Sequence, residues 1–101
     1  MPGGDPDGPN RAERAVIARE IGLRLQRRRI ELGYSQEKVA HRAGLSTYTY
    51  QKFEHGESKP GTPMNPTLFT LYALADVLEL EVGDLVARPS RPGIVLGSHD
   101  D

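Results

Sequence analysis

Ser35-Gln36-Glu37-Lys38-Val39-Ala40-His41-Arg42-Ala43-Gly44-Leu45-Ser46-Thr47-Tyr48-Thr49-Tyr50-Gln51-Lys52-Phe53-Glu54-His55-Gly56 reads as two short helices joined by a tight turn. Ser35 is a natural N-cap, because its hydroxyl can accept from an orphan N–H one turn on. Val39, Ala40 and Ala43 share one helical face. Gly44 then supplies a left-handed residue at little steric cost. Ser46 can cap the second helix, whose inward stripe is Leu45/Ser46, Thr49/Tyr50 and Phe53, and Gly56 ends it. Thr47, Tyr48, Gln51 and Lys52 are left on the outer face, where function is expected. Ala40 is small where the two helices must cross, and the connecting turn has the length a helix-turn-helix needs.

Further residues make the pattern specific. Arg29-Ile30-Glu31-Leu32-Gly33-Tyr34-Ser35-Gln36-Glu37-Lys38-Val39-Ala40, then Gly44-Leu45-Ser46, then Phe53-Glu54-His55-Gly56 fit R-x-x-x-G-x-S-Q-x-x-[LV]-A-x-x-x-G-[LV]-S followed by E-x-G. From about Ile21 to Val86 the chain resembles the helix-turn-helix family of phage repressors and Cro proteins, the xenobiotic-response-element type. The resemblance implies an all-α, five-helix, lambda-repressor-like DNA-binding domain. It also implies that the start of the motif's second helix enters the major groove and reads base edges. On that carry-over Thr47, Tyr48 and Lys52 face bases, and Gln51, pointing partly outward, is a further candidate. Gln36 either contacts phosphate or braces the recognition helix. Ser46 and Lys59 are candidate phosphate contacts.

The charge pattern agrees with a polyanionic partner. The formal net charge is only −1, yet residues 11–60 carry eleven bases against six acids, whereas residues 61–101 carry two bases against six acids. The basic half holds the helix pair. A solvated helix face would also carry such charges.

Upstream, Met1–Asn10 is rich in Gly, Pro and Asp and reads as a disordered tail. From Arg11 to Leu32, Ile17, Ala18, Ile21, Leu25, Arg28/Arg29 and Leu32 recur at helical spacing. Gly22 inside this run weakens the helix by about 1 kcal/mol against Ala and marks a bend or a late start. Arg24, Arg27 and Arg28 are candidates for phosphate contact, with a solvated face as the alternative. Arg29 differs, because it falls on the inward stripe. A buried guanidinium needs a carboxylate; Glu54 is the predicted partner in a structural ion pair, and the resemblance implies the same pair.

Downstream, Glu57–Pro66 departs from the family. GTPMN looks inserted, and three prolines with a glycine predict an extended, non-helical segment. It is either a tolerated surface insertion or an arm tracking the DNA backbone through Ser58, Lys59 and Thr62. Asn65-Pro66 predicts a new helix start, with Leu68, Leu71, Tyr72, Ala75 and Leu78 on one face and Leu74 and Val77 widening the stripe, Tyr72 being either a core edge or a dimer contact. A short last helix, Val82 to Ala87, closes the core with Leu85 and Val86. Residues 88–101 break at Pro89 and Pro92 and read as a flexible tail. Its Ile94-Val95-Leu96 run is a candidate site for a protein partner.

At 101 residues the chain is one domain at most, residues 11–87, burying roughly 60–65% of its unfolded surface. With no cysteine there is no disulfide framework or cysteine-based metal site, and a cytoplasmic setting is allowed. No apolar run reaches the roughly 20 residues a membrane span needs. His41, His55 and His99 are scattered without metal-ligand spacing. No phosphate loop or nucleophile elbow occurs. Neither an enzyme nor a cofactor is therefore expected. The expected function is a sequence-specific transcriptional regulator, a repressor bound as a homodimer to a near-palindromic site on double-stranded DNA. The alternatives are an antitoxin-type autorepressor that binds a partner protein, and a protein-interaction module that has lost DNA binding.

Overall fold

In the computed structural model, which describes residues 8–87, the chain enters its first helix, α1 (Arg11–Leu32), through a capping box. Asn10 accepts from the Glu13 N–H at 2.8 Å, and Glu13 accepts from the Asn10 N–H at 3.0 Å. Asn10 thus belongs to the helix entry rather than to the tail. Residues 1–7 and the tail from Arg88 onward, with Ile94-Val95-Leu96 and His99, lie outside the described residues.

After α1 come α2 (Gln36–Arg42) and α3 (Thr47–His55), a hairpin of β1 (Glu57–Lys59) and β2 (Thr62–Pro63), then α4 (Leu68–Leu78) and α5 (Val82–Val86). The fold is all-α, and the hairpin is a minor addition. Left-handed glycines end α1 and α3: Gly33 at φ 74° and Gly56 at φ 89°. Between α2 and α3, Leu45 N–H donates to the Ala40 carbonyl at 2.8 Å and Gly44 N–H to that of His41 at 3.1 Å, closing the turn of the motif.

The core lies where α1, α2, α3 and α4 converge. Leu25, Val39, Ala40, Tyr50, Leu74, Leu78 and Leu85 are fully enclosed, and Ile21, Phe53 and Ala75 complete the cluster. Each large aliphatic side chain contributes about 1.5–3 kcal/mol by leaving water.

α1 runs without interruption through Gly22. A Cβ there would lie 2.4 Å from the Glu54 carbonyl oxygen and 2.6 Å from that of Phe53. The missing side chain lets the C-terminal turn of α3 rest on α1. Across the same contact runs the ion pair: Arg29 Nε donates to Glu54 Oε2 at 2.6 Å and Nη2 to Oε1 at 3.1 Å. Tyr50 OH donates to Oε2 at 2.5 Å and Gln36 Nε2 to Oε1 at 2.9 Å. Arg29 also ties down the turn after α1 by donating Nη1 to the Tyr34 carbonyl at 3.1 Å. Burial alone would push the Glu54 carboxyl up; the donors from Arg29, Tyr50 and Gln36 outweigh it and hold the group below the usual carboxylate range. Burial, then the bond to Glu54, pushes the Tyr50 phenol well above its ordinary value.

Three expectations are corrected at the far side of the molecule. First, Arg24 and Arg28 turn toward the C-terminal helices. Arg24 Nη1 donates to the carbonyls of Leu85 at 3.0 Å and Ala87 at 2.6 Å, and Arg28 Nε to that of Leu78 at 2.9 Å. Their guanidinium groups satisfy carbonyls that a helix end leaves unpaired and lie at its negative pole. Second, α4 starts on Thr67, not Asn65. Thr67 is extended at ψ 163° and its hydroxyl accepts from the Thr70 N–H at 3.2 Å. Third, Leu68 is not inward, and Tyr72 is not at the core edge: the buried stripe of α4 is Leu74, Ala75 and Leu78, leaving Leu68, Phe69 and Tyr72 exposed.

Residues 57–63 fold back as a short hairpin. Pro60-Gly61 makes a tight turn, with Gly61 at φ 80°, as proline followed by a positive-φ glycine favours. The strands pair antiparallel, Lys59 opposite Thr62. Met64 N–H donates to the Gly56 carbonyl at 2.9 Å, and the Met64 side chain packs on the core.

Three stability expectations follow from these contacts. In urea unfolding at neutral pH, Gly22→Ala is expected to destabilise by about 1–3 kcal/mol, against the gain of about 1 kcal/mol that helix propensity alone gives; a stabilised variant would refute the close contact. Glu54→Ala is expected to lose about 2–4 kcal/mol, because it strands a partly buried guanidinium. A carboxyl held low in the folded state contributes stability that is complete above about pH 4.3, the free glutamate value, and is lost as pH falls through the lower folded value. Glu54→Gln is therefore expected to be less stable at pH 7 and to lose less on acidification than the wild type. Equal acid limbs in the two proteins would refute it.

Candidate nucleic-acid interface

The Ser46 hydroxyl caps α3, accepting from the Thr49 N–H at 3.0 Å and donating to Thr49 Oγ1 at 2.9 Å. The helix then buries Tyr50 and Phe53. Helical spacing leaves Thr47, Tyr48, Gln51 and Lys52 on the opposite side. Tyr48 is 67% exposed. The Lys52 ammonium lies 4.2 Å from the centroid of its ring, one turn away. The quadrupole of the ring attracts the cation, so phenol and ammonium are presented as a unit.

Gln51 sits at the middle of this face. It lines a groove of about 520 Å³ with Arg29, Ser35, Gln36, Glu37 and Thr47, where the starts of α2 and α3 meet. It also lines a groove of about 360 Å³ with Tyr48, Lys52, His55 and hairpin residues Glu57–Pro60. The hairpin thereby brings Lys59, which is exposed, to the flank of the recognition helix. A third groove, of about 300 Å³, adds Arg19 of α1 to Gln36, Gln51, Glu54 and His55.

Gln36 performs the bracing role of the two left open for it. Its amide nitrogen donates to Glu54, and its carbonyl accepts from Gln51 Nε2 at 3.1 Å. The structure thus gathers Thr47, Tyr48, Gln51, Lys52, Gln36, Ser46 and Lys59 around one face. Arg24 and Arg28 are engaged elsewhere, with the carbonyls of α4 and α5. Sequence reasoning missed two participants. Arg19 was not singled out, although it shares one side of α1 with Leu23 and Gln26, which line the same groove. The Gln36–Gln51 bond joins residues fifteen apart, and no local pattern reports it.

Among the described residues no group of three or more His, Cys, Asp or Glu is placed to hold a metal ion. No helix there is long and apolar enough to cross a membrane.

Comparison with known proteins agrees with this geometry. A helix-turn-helix family model matches residues 25–85. A curated relative, the cryptic phage CTXphi transcriptional repressor RstR of Vibrio cholerae, is 32% identical over 69 residues, 68% of this chain. The chain spans 56% of the length of that repressor. The crystal structure of the restriction-modification controller protein C.AhdI from Aeromonas hydrophila superposes with a TM-score of 0.58 at 29% identity, covering 67% of this chain and 94% of that one. The biofilm master regulator SinR in complex with DNA gives 0.55 at 29% identity, covering 64% and 95%. SinR in complex with SinI gives 0.56 at 28% identity, covering 66% and 60%. The first three turns and more of α1, residues 11–24, precede the matched region. The chain belongs to the helix-turn-helix family of the phage-repressor and Cro, or xenobiotic-response-element, type.

Proposed function

We propose that this protein is a cytoplasmic, sequence-specific regulator of transcription, a repressor that occupies a near-palindromic operator on double-stranded DNA as a dimer. The observation that carries this reading is the outer face of α3: Tyr48 and Gln51 stand exposed, with Thr47 and Lys52 half-buried beside them, on a helix anchored through Glu54 to α1. Lys52 can donate to guanine O6 and N7, Thr47 can meet a thymine methyl, and the Tyr48 ring adds apolar contact. Lys59 and the backbone N–H of Ser46 flank these residues as phosphate contacts, which position the helix without reading sequence. Arg24 and Arg28 donate instead to carbonyls at the ends of α4 and α5. The naming of RstR as a transcriptional repressor and the DNA complex of SinR support the same reading.

One short helix discriminates few base pairs, so two copies related by a two-fold axis are needed for an operator. The α4 patch supports a second copy as its occupant: Leu68 is 59% exposed, Phe69 80% and Tyr72 53%. Large apolar side chains left clustered in water mark association surfaces. The SinR/SinI complex favours a second reading, in which a partner protein tunes the regulator. The segment assigned to such a partner, residues 88–101, lies outside the described residues.

Selection from a random DNA pool is expected to return an inverted repeat, with affinity falling steeply with salt. Tyr48→Ala and Lys52→Ala are expected to broaden the selected sequence. Lys59→Ala is expected to weaken all sequences alike and to lower the salt slope by about 0.9. A pool that shows no enrichment would overturn the reading. In sedimentation, Phe69→Glu is expected to give a folded monomer with reduced operator affinity; an unchanged dimer would place the two-fold elsewhere.

A further inference from the structure

The hydrogen bonds behind α3 have a direction, and that direction reaches the exposed face. The Glu54 carboxylate can only accept. Its two oxygens take two donors from Arg29, one from Tyr50 and one from Gln36. Gln36 must therefore turn its NH₂ inward, which leaves its carbonyl oxygen facing outward. That oxygen accepts from Gln51 Nε2 at 3.1 Å, so the Gln51 amide is turned with its nitrogen toward α2. The side chain of Gln51 is exposed. Among the described residues its carbonyl oxygen accepts no hydrogen bond, and a second N–H stands beside it, in fixed order.

Resting on the reading that this face enters the major groove, we propose that Gln51 is a specificity-determining residue that selects adenine, and that Gln36 is its positioning residue. Adenine presents an N6 donor beside the N7 acceptor, which matches the remaining acceptor and N–H of Gln51. Guanine presents two acceptors, O6 and N7, and would set its O6 against the Gln51 carbonyl. A free glutamine could flip its amide to meet either pattern. Gln51 cannot flip without losing its bond to Gln36, and Gln36 cannot flip without aiming an oxygen at a carboxylate. The buried ion pair thereby sets which hydrogen-bonding pattern the surface reads.

The test compares the sites selected by the wild type, Gln51→Ala and Gln36→Ala from one random pool. The wild-type operator is also synthesised with purine in place of adenine at the affected position, which removes the N6 amino group. Gln51→Ala is expected to lose an adenine preference of about 5- to 150-fold at one position per half-site and to keep the preferences set by Tyr48 and Lys52. Gln36→Ala is expected to relax the same position with no other change in the selected sequence, which a general loosening of the fold would not produce. The purine substitution is expected to weaken the wild type and leave Gln51→Ala unaffected. Retention of every adenine preference by Gln51→Ala would overturn the assignment while the regulator reading stands, as would loss of a guanine or thymine preference instead. No enrichment with the wild type would overturn both.

Discussion

The Glu54 carboxylate is the point on which the motif depends. It is almost enclosed, with a side-chain exposure of 5%, and a charge so placed is tolerated only when its oxygens are fully engaged. Each donor comes from a different piece of structure: Arg29 from α1, Gln36 from the start of α2, Tyr50 from α3 itself. One residue thereby fixes three helices, and the recognition helix cannot rotate without breaking several of these bonds together. Gly22 belongs to the same constraint, since only a missing Cβ allows α3 to come near enough to α1 for Arg29 to reach.

Much of this was legible in the sequence, because the signals are local. The caps Ser35 and Ser46, and the inward residues Val39, Ala40, Tyr50 and Phe53, follow from helical period and backbone chemistry over a few residues. The position of Arg29 on an apolar stripe was itself a long-range clue, because a buried guanidinium must have a carboxylate and few were available. The outward set Thr47, Tyr48, Gln51 and Lys52 is simply what remains once the inward face is assigned.

What the sequence did not reveal depended on contacts between distant segments. Arg24 and Arg28 read as free cations because nothing near them in the chain calls for one. Their acceptors are carbonyls some 50 to 60 residues away, and whether a helix end meets an arginine is decided by packing. On α4, two apolar stripes overlap at helical spacing, so period alone could not say that Leu74 rather than Tyr72 faces the core. Pro60-Gly61 signalled a turn, but its strands pair too briefly to leave an alternating pattern. Gly22 was read through its intrinsic penalty, when its value lies in the carbonyls of Phe53 and Glu54 pressed against it.

This arrangement divides labour along one helix. The inner face of α3 is rigid because its polar atoms are satisfied by charge-assisted bonds, which are short and directional. The outer face inherits that rigidity at Gln51 but less at Tyr48 and Lys52, whose mutual contact is a cation resting on a ring without hydrogen-bond direction. The recognition surface is therefore graded. One side chain has its donor and acceptor order imposed from within, and its neighbours remain free to adjust to the groove they meet. Substitutions at Tyr48 and Lys52 leave the buried network intact. A change of Gln36 or Gln51 reaches back toward Glu54, and with it toward the bond that holds the motif to α1.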